Sequence, residues 1–166
     1  VFNRSFQYGD GLFETIIVKN GSARLLHYHY ERLTKGLNLL GIVHQFTIES
    51  IERQINELIS INILTDARVK LHVWRANGGL FSPTNNDAEY LISTQPINLT
   101  KPVITACSFS EKATIYPSIT SQFKTSSALN YILAGVEKQA RNVQELILLN
   151  FEGYIAECIS SNLFWF

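Results

Sequence analysis

Methionine is absent from the 166-residue chain, and only two cysteines and four prolines occur. With Val1 in first place and no Met anywhere, the natural N-terminus is expected to lie upstream. The last residues, Asn162-Leu163-Phe164-Trp165-Phe166, are apolar. Natural ends are usually polar and mobile, so a cut is expected there as well. Cys107 and Cys158 have no metal-type spacing, and two reduced thiols are expected rather than a disulfide. Charge of one sign is missing too, with fourteen basic residues balancing fourteen acidic ones. No basic excess points to nucleic acid or to an anionic membrane surface. No apolar run approaches the ~18 residues of a membrane helix, and no signal-peptide pattern opens the chain. A cytoplasmic location is the expectation. Internal repeats and low-complexity tracts are also lacking.

What is present is a chain able to bury a core, 46% hydrophobic and 17% charged. Residues 2–8 show no clear period. Gly9-Asp10-Gly11 is a turn signal, and Leu12 to Val18 reads as a strand. Asn20-Gly21 marks a hairpin, with Ala23 to His27 returning. Asp10, Glu14 and Arg24 around it read as surface charges. Helical spacing over residues 28–40 ends at Gly41, and a second helix is expected over 47–61, capped by Thr47 or Ser50. Residues 67–75 alternate as a half-buried strand, and 88–95 form another. Pro96 to Pro102 is the expected linker. Beyond it come a strand from Val103 to Ser110, a helix from Ser127 to Arg141, and a hairpin of 145–149 with 154–159. This pattern is α+β in two lobes, divided as 1–98 and 99–166.

Two charges are in apolar company. Lys124 precedes the expected helix, and Glu157 follows 33 positions later between Ile155 and Ile159. Each has an ordinary reading, as a solvated lysine and as the solvated face of a hairpin. However, helix N-termini disfavour cations, and an amine in an apolar site becomes a nucleophile fit for a Schiff base. Glu157 then suits a protonated ring nitrogen. Arg32 is either a surface arginine paired with Glu31 or Asp10, or a phosphate clamp. Arg75 is either a strand-end charge or a hold on a substrate carboxylate. His27, His29, His44 and His72 show no ligand spacing, so no metal is expected.

Taken in order, four segments resemble one family. They are Tyr8-Gly9-Asp10-Gly11-Leu12-Phe13-Glu14-Thr15, then residues 25–33 with His29 and Arg32, then Lys124 with Ala134, then Gly153-Tyr154-Ile155-Ala156-Glu157 with Ser160-Ser161-Asn162-Leu163-Phe164. Together they are similar to the class IV, fold type IV, pyridoxal-phosphate enzymes. That family includes branched-chain and D-amino-acid aminotransferases and 4-amino-4-deoxychorismate lyase, the last resembling the C-terminal segment most. The resemblance implies a two-lobed fold of which this chain holds the N-terminal lobe and the first part of the larger one. It implies pyridoxal 5'-phosphate as cofactor, a small amino or keto acid as substrate, and a homodimer. By the same resemblance Lys124 holds the cofactor as an aldimine and moves the proton. Glu157 partners the pyridine nitrogen, Arg32 binds the phosphate, and Ser160 and Ser161 line the cofactor. Phe13 and Arg75 fall at substrate positions.

The chain also departs from the pattern. Ser127 and Leu129 occupy places where family members carry Asn or Tyr, which leaves the partner of the cofactor's phenolic oxygen unassigned. Leu80-Phe81 replaces a second arginine of the lyase and D-aminotransferase branches. The expected activity is pyruvate release from aminodeoxychorismate, giving 4-aminobenzoate, or amino-group transfer. The rivals are a branched-chain or D-amino-acid aminotransferase and, in another class, an inactive binding or scaffold relic.

Overall fold

The computed structural model describes residues 3–98, 104 and 106–165. The fold is α+β, as the patterning predicts, and the chain divides into two compact units. One comprises Val1–Thr100 and Gln122–Ser127, the other Lys101–Ser121 and Ala128–Phe166. The returning segment 122–127 is a feature that a single cut at 98/99 does not contain. Most of the expected linker, residues 99–102, lies outside the described residues, as do Val103 and Thr105 of the strand expected after it.

The first unit opens with α1 (Arg4–Tyr8), where no period was evident. Its cap is Asn3, whose side chain accepts the Phe6 amide at 3.1 Å. Strand β1 (Gly11–Lys19) turns through Asn20 and Gly21, both with positive φ at 52° and 73°. The returning strand β2 (Ser22–Ala23) is only two residues long, because helix α2 (Leu26–Leu40) starts where strand was expected. Helix α3 (Ile48–Ile61) has the Thr47–Ser50 capping box, each side chain accepting the other's amide. Strands β3 (Ala67–Arg75) and β4 (Ala88–Pro96) complete an antiparallel sheet in the order β2-β1-β3-β4. Leu12, Ile16, Val69 and Leu71 on one face meet Leu33, Leu37, Ile51 and Ile55 of the two helices to form the core. Phe13, Lys70, His72 and Trp74 alternate onto the other face.

The second unit holds β5 (Cys107–Ile115), α4 (Leu129–Ala140), β6 (Glu145–Asn150) and β7 (Ile155–Cys158). Strands β5 and β6 are parallel, as a helical crossover demands, and β6 and β7 form a hairpin. Its core is small: Ala113, Ala134 and Leu148, with Ile115, Tyr131 and Ile159 against them. Helix α4 does not bury its richest apolar stripe. Leu129, Ile132, Leu133 and Val136 are exposed, while Ala134 and Glu137 are buried. Glu137 is turned inward at a broken ladder. The β5–β6 register shifts between Phe109 and Thr114, which frees amides of β5. Glu137 takes the Glu111 and Lys112 amides at 2.9 and 3.1 Å, the Ser110 hydroxyl at 2.7 Å and Arg141 Nη1 at 2.6 Å. No helix among the described residues is long and apolar enough to cross a membrane.

Two outcomes test this architecture. Helical Gly36 faces Leu12 and Phe123, and a Cβ there would lie 2.5 Å from Leu12 Cδ1 and 3.0 Å from the Phe123 ring. Gly36→Ala gains about 1 kcal/mol of helix propensity but overpacks the core by about 1–3 kcal/mol. A net loss of stability is expected in denaturant unfolding. Burial pushes the Glu137 carboxyl up, but its hydrogen bonds outweigh this and bring its pKa down to about 2. A folded-state pKa depressed in this way adds stability that is full above the ordinary value of 4.5 and is lost as pH falls toward 2. Glu137→Gln is therefore expected to be less stable than the parent at neutral pH. That gap should close across the same acid range in unfolding curves taken at stepped pH.

Candidate active site

The start of β1 is the frame on which Lys124 is mounted. The Phe13 amide donates to the Lys124 carbonyl at 2.8 Å, and the Ser126 amide donates to the Gly11 carbonyl at 2.9 Å. Leu12 and Thr125 thus pair as an antiparallel bridge. The approach is close: a Cβ on Gly11 would lie 2.7 Å from the Val73 carbonyl oxygen and 2.9 Å from Ser126 Oγ. Lys124 therefore precedes the helix, as expected, without adjoining it. Its backbone is spent on β1, and α4 begins only at Leu129. The lysine side chain is exposed, and among the described residues it makes no ion pair. Its Nζ lies 5.8 Å from the centroid of the Phe13 ring, and Lys70 Nζ lies 4.6 Å from the same centroid. Ser126 Oγ is 2.8 Å from His72 Nε2, which also meets Ser5 Oγ at 2.9 Å. Burial, reinforced by Lys70, lowers the His72 pKa, which keeps the ring neutral at neutral pH.

Neighbouring Glu14 points to the opposite face and is buried, not a surface charge. Arg32 donates to it through Nε at 2.7 Å and Nη2 at 2.6 Å, and His29 Nδ1 lies 2.7 Å away. Burial raises the Glu14 pKa, but the bonds from Arg32 and His29 outweigh it and leave a net lowering. Arg32 is thereby held by Glu14, rather than by Glu31 or Asp10, and keeps 39% of its side chain exposed. Asp10 is no free surface charge either. It accepts Arg4 Nε at 2.8 Å and Arg75 Nε at 2.9 Å. Arg75 is buried and sends its other N–H groups to Leu40 O, Gly41 O and Asn86 Oδ1. That geometry makes Arg75 a tie between β3, the end of α2 and the turn at Asp10.

In the second unit Glu157 lies on β7 opposite Leu148, where the β6–β7 register shifts. It is half-buried and accepts the Tyr131 hydroxyl at 2.7 Å. Burial, then the bond to Glu157, raises the Tyr131 pKa to about 12. Ser160 and Ser161 follow β7, and both hydroxyls donate to the buried Glu145, at 2.9 and 2.6 Å. Cys107 and Cys158 are both free. Among the described residues no group of three His, Cys, Asp or Glu side chains is placed to hold a metal.

Glu14, Tyr131 and Glu145 were not among the candidates read from sequence. Glu14 had a signal, since it shares the parity of Leu12 and Ile16 on β1 and must point inward with them. Tyr131 and Glu145 had none, because their partners are remote in the chain.

The family model described as amino-transferase class IV matches residues 11–166. The chain belongs to the class IV aminotransferases. It is 29% identical over 171 residues to a probable branched-chain-amino-acid aminotransferase of Rickettsia felis, covering 99% of this chain and 58% of that protein. An aminodeoxychorismate lyase of Bacillus subtilis is also 29% identical, over 172 residues, with the same coverage of 99% and 58%. The crystal structure of a putative 4-amino-4-deoxychorismate lyase from Legionella pneumophila superposes with a TM-score of 0.85 at 20% identity, over 96% of this chain and 59% of that one. At that identity the likeness is one of fold. This class IV chain thus spans less than two thirds of the relatives it matches.

The Arg32–Glu14 pair separates two costs. Arg32→Ala leaves a carboxylate that is only 2% exposed with His29 as its remaining partner, at a cost of about 2–3 kcal/mol. Glu14→Ala leaves an arginine that reaches water, so it should cost less. Thermal unfolding of the two variants checks the order.

Proposed function

We propose that this class IV chain carries the covalent half of a pyridoxal-phosphate site, and that the whole protein acts on a small amino substrate. The observation that carries the reading is Lys124: a pinned backbone, a side chain in the open beside Phe13, and no ion pair among the described residues. A lysine so placed is available for covalent attachment. By residue type the set suits the cofactor. It contains an amine for the aldehyde, a half-buried carboxylate for the ring nitrogen, and a half-exposed guanidinium for the phosphate.

Lys124 would hold the cofactor and serve as the base that moves a proton at the substrate carbon. Glu157 would keep the ring nitrogen protonated. Arg32, oriented by Glu14, would meet the phosphate with the guanidinium edge that Glu14 leaves open. Ser160 and Ser161 would line the cofactor with their backbone, since their hydroxyls donate to Glu145. Phe13 would form the substrate wall. When bound, pyridoxal phosphate supplies an electron sink for the substrate carbon. The reaction is either pyruvate release from aminodeoxychorismate or amino-group transfer to a keto acid. Both names occur among the relatives. The same reading takes the protein to be a cytoplasmic homodimer.

The test is an absorption spectrum of the whole protein with pyridoxal phosphate. A visible band, lost in Lys124→Ala together with at least about a thousandfold of activity, is the expected result. No band in the parent protein would leave a binding or scaffold relic. Aminodeoxychorismate, set against 2-oxoglutarate with leucine or D-alanine, then separates lyase from transaminase.

A further inference from the structure

The Glu157 carboxylate accepts the Tyr131 hydroxyl at 2.7 Å on Oε1. The donor is well fixed. The Tyr131 ring packs in the small core of the second unit, against Ala113, Ala134 and Leu148. Its neighbour Asn130 is tied as well, donating to the Thr114 carbonyl at 2.9 Å. The acceptor is fixed by its strand. Glu157 pairs with Leu148, and the register shift that follows is the kind of irregularity that re-aims a side chain. Charge favours the arrangement too. Tyr131 keeps its own proton throughout the neutral range, so its hydroxyl remains the donor. A phenol in that position spends only one of the two carboxylate oxygens.

We infer that Tyr131 is a positioning residue, whose hydroxyl holds the Glu157 carboxylate in one rotamer and leaves its second oxygen to accept from the ring nitrogen of a pyridine cofactor. The inference rests on the cofactor reading above and deepens it. Without Tyr131 the carboxylate would sample other rotamers. The ring nitrogen would then lose a fixed acceptor and hold its proton less firmly.

The test uses the whole protein loaded with ring-nitrogen-labelled pyridoxal phosphate. Tyr131→Phe, which keeps the ring and removes the hydroxyl, should move the labelled nitrogen signal toward the unprotonated position. It should also weaken cofactor binding about tenfold, the scale of one hydrogen bond to a charged group. In a Glu157→Gln background the same change should add little, because the carboxylate it acts through is gone. A Tyr131→Phe protein with the parent's nitrogen signal and affinity overturns the inference while leaving the function reading intact. Effects that simply add in the double variant also overturn it, as does a variant that fails to fold, since the bond would then be structural. A parent protein that binds no pyridoxal phosphate removes the function reading, and the inference with it.

Discussion

The short backbone pairing of residues 124–126 with the first residues of β1 is the constraint on which the first unit's candidate site depends. Two amide-to-carbonyl bonds, of 2.8 and 2.9 Å, fix the segment. They require close approach, and Gly11 and Gly36 supply it by having no side chain. Phe123 can then pack toward α2 and Leu12, while Ser126 bonds His72 from the other face of the sheet. The pairing leaves the Lys124 amine near Phe13. The lysine is thus precise at its backbone and free at its tip, the combination that covalent chemistry asks of a side chain.

The charges of the chain divide by the same logic. Asp10, Glu14, Glu137 and Glu145 each accept several donors and have pKa values below the ordinary range. Burial opposes ionisation at each of them, and the bonds outweigh it. These carboxylates hold elements together: Asp10 joins α1 to β3, Glu14 joins β1 to α2, Glu137 closes the gap in β5, and Glu145 holds the serines after β7. Lys124, Arg32 and Glu157 are less fully committed.

Much of the fold was legible locally. Strand β3 has the bounds its alternation predicts, and α3 starts at the cap that Thr47 announces. These elements repeat their own period over nine or more residues, so neighbours in sequence carry the information. Helix α1 was missed because five residues are too few to show a period, and its stability comes from the Asn3 cap and the ties made by Arg4. The long return strand expected after Gly21 became helix because α2 buries Leu26, Leu33 and Leu37 against β1. Tertiary burial overrode a local hairpin preference.

By itself the sequence determined the order of elements, the turn at Gly9-Asp10-Gly11, and the residue types at Lys124, Glu157 and Arg32. Only the tertiary structure decided which charges are spent and which are left. Arg75 reads as a free strand-end charge, yet Asp10, Leu40, Gly41 and Asn86 take its N–H groups. Glu14 reads as a surface carboxylate, yet it is buried beneath Arg32 and His29. Tyr131 gave no signal at all, yet it holds Glu157. Each of these partners is more than ten residues away in the chain. A hydrogen bond is set by position in space, and no local pattern of residue types encodes a distance that the packed sheet and helices alone establish.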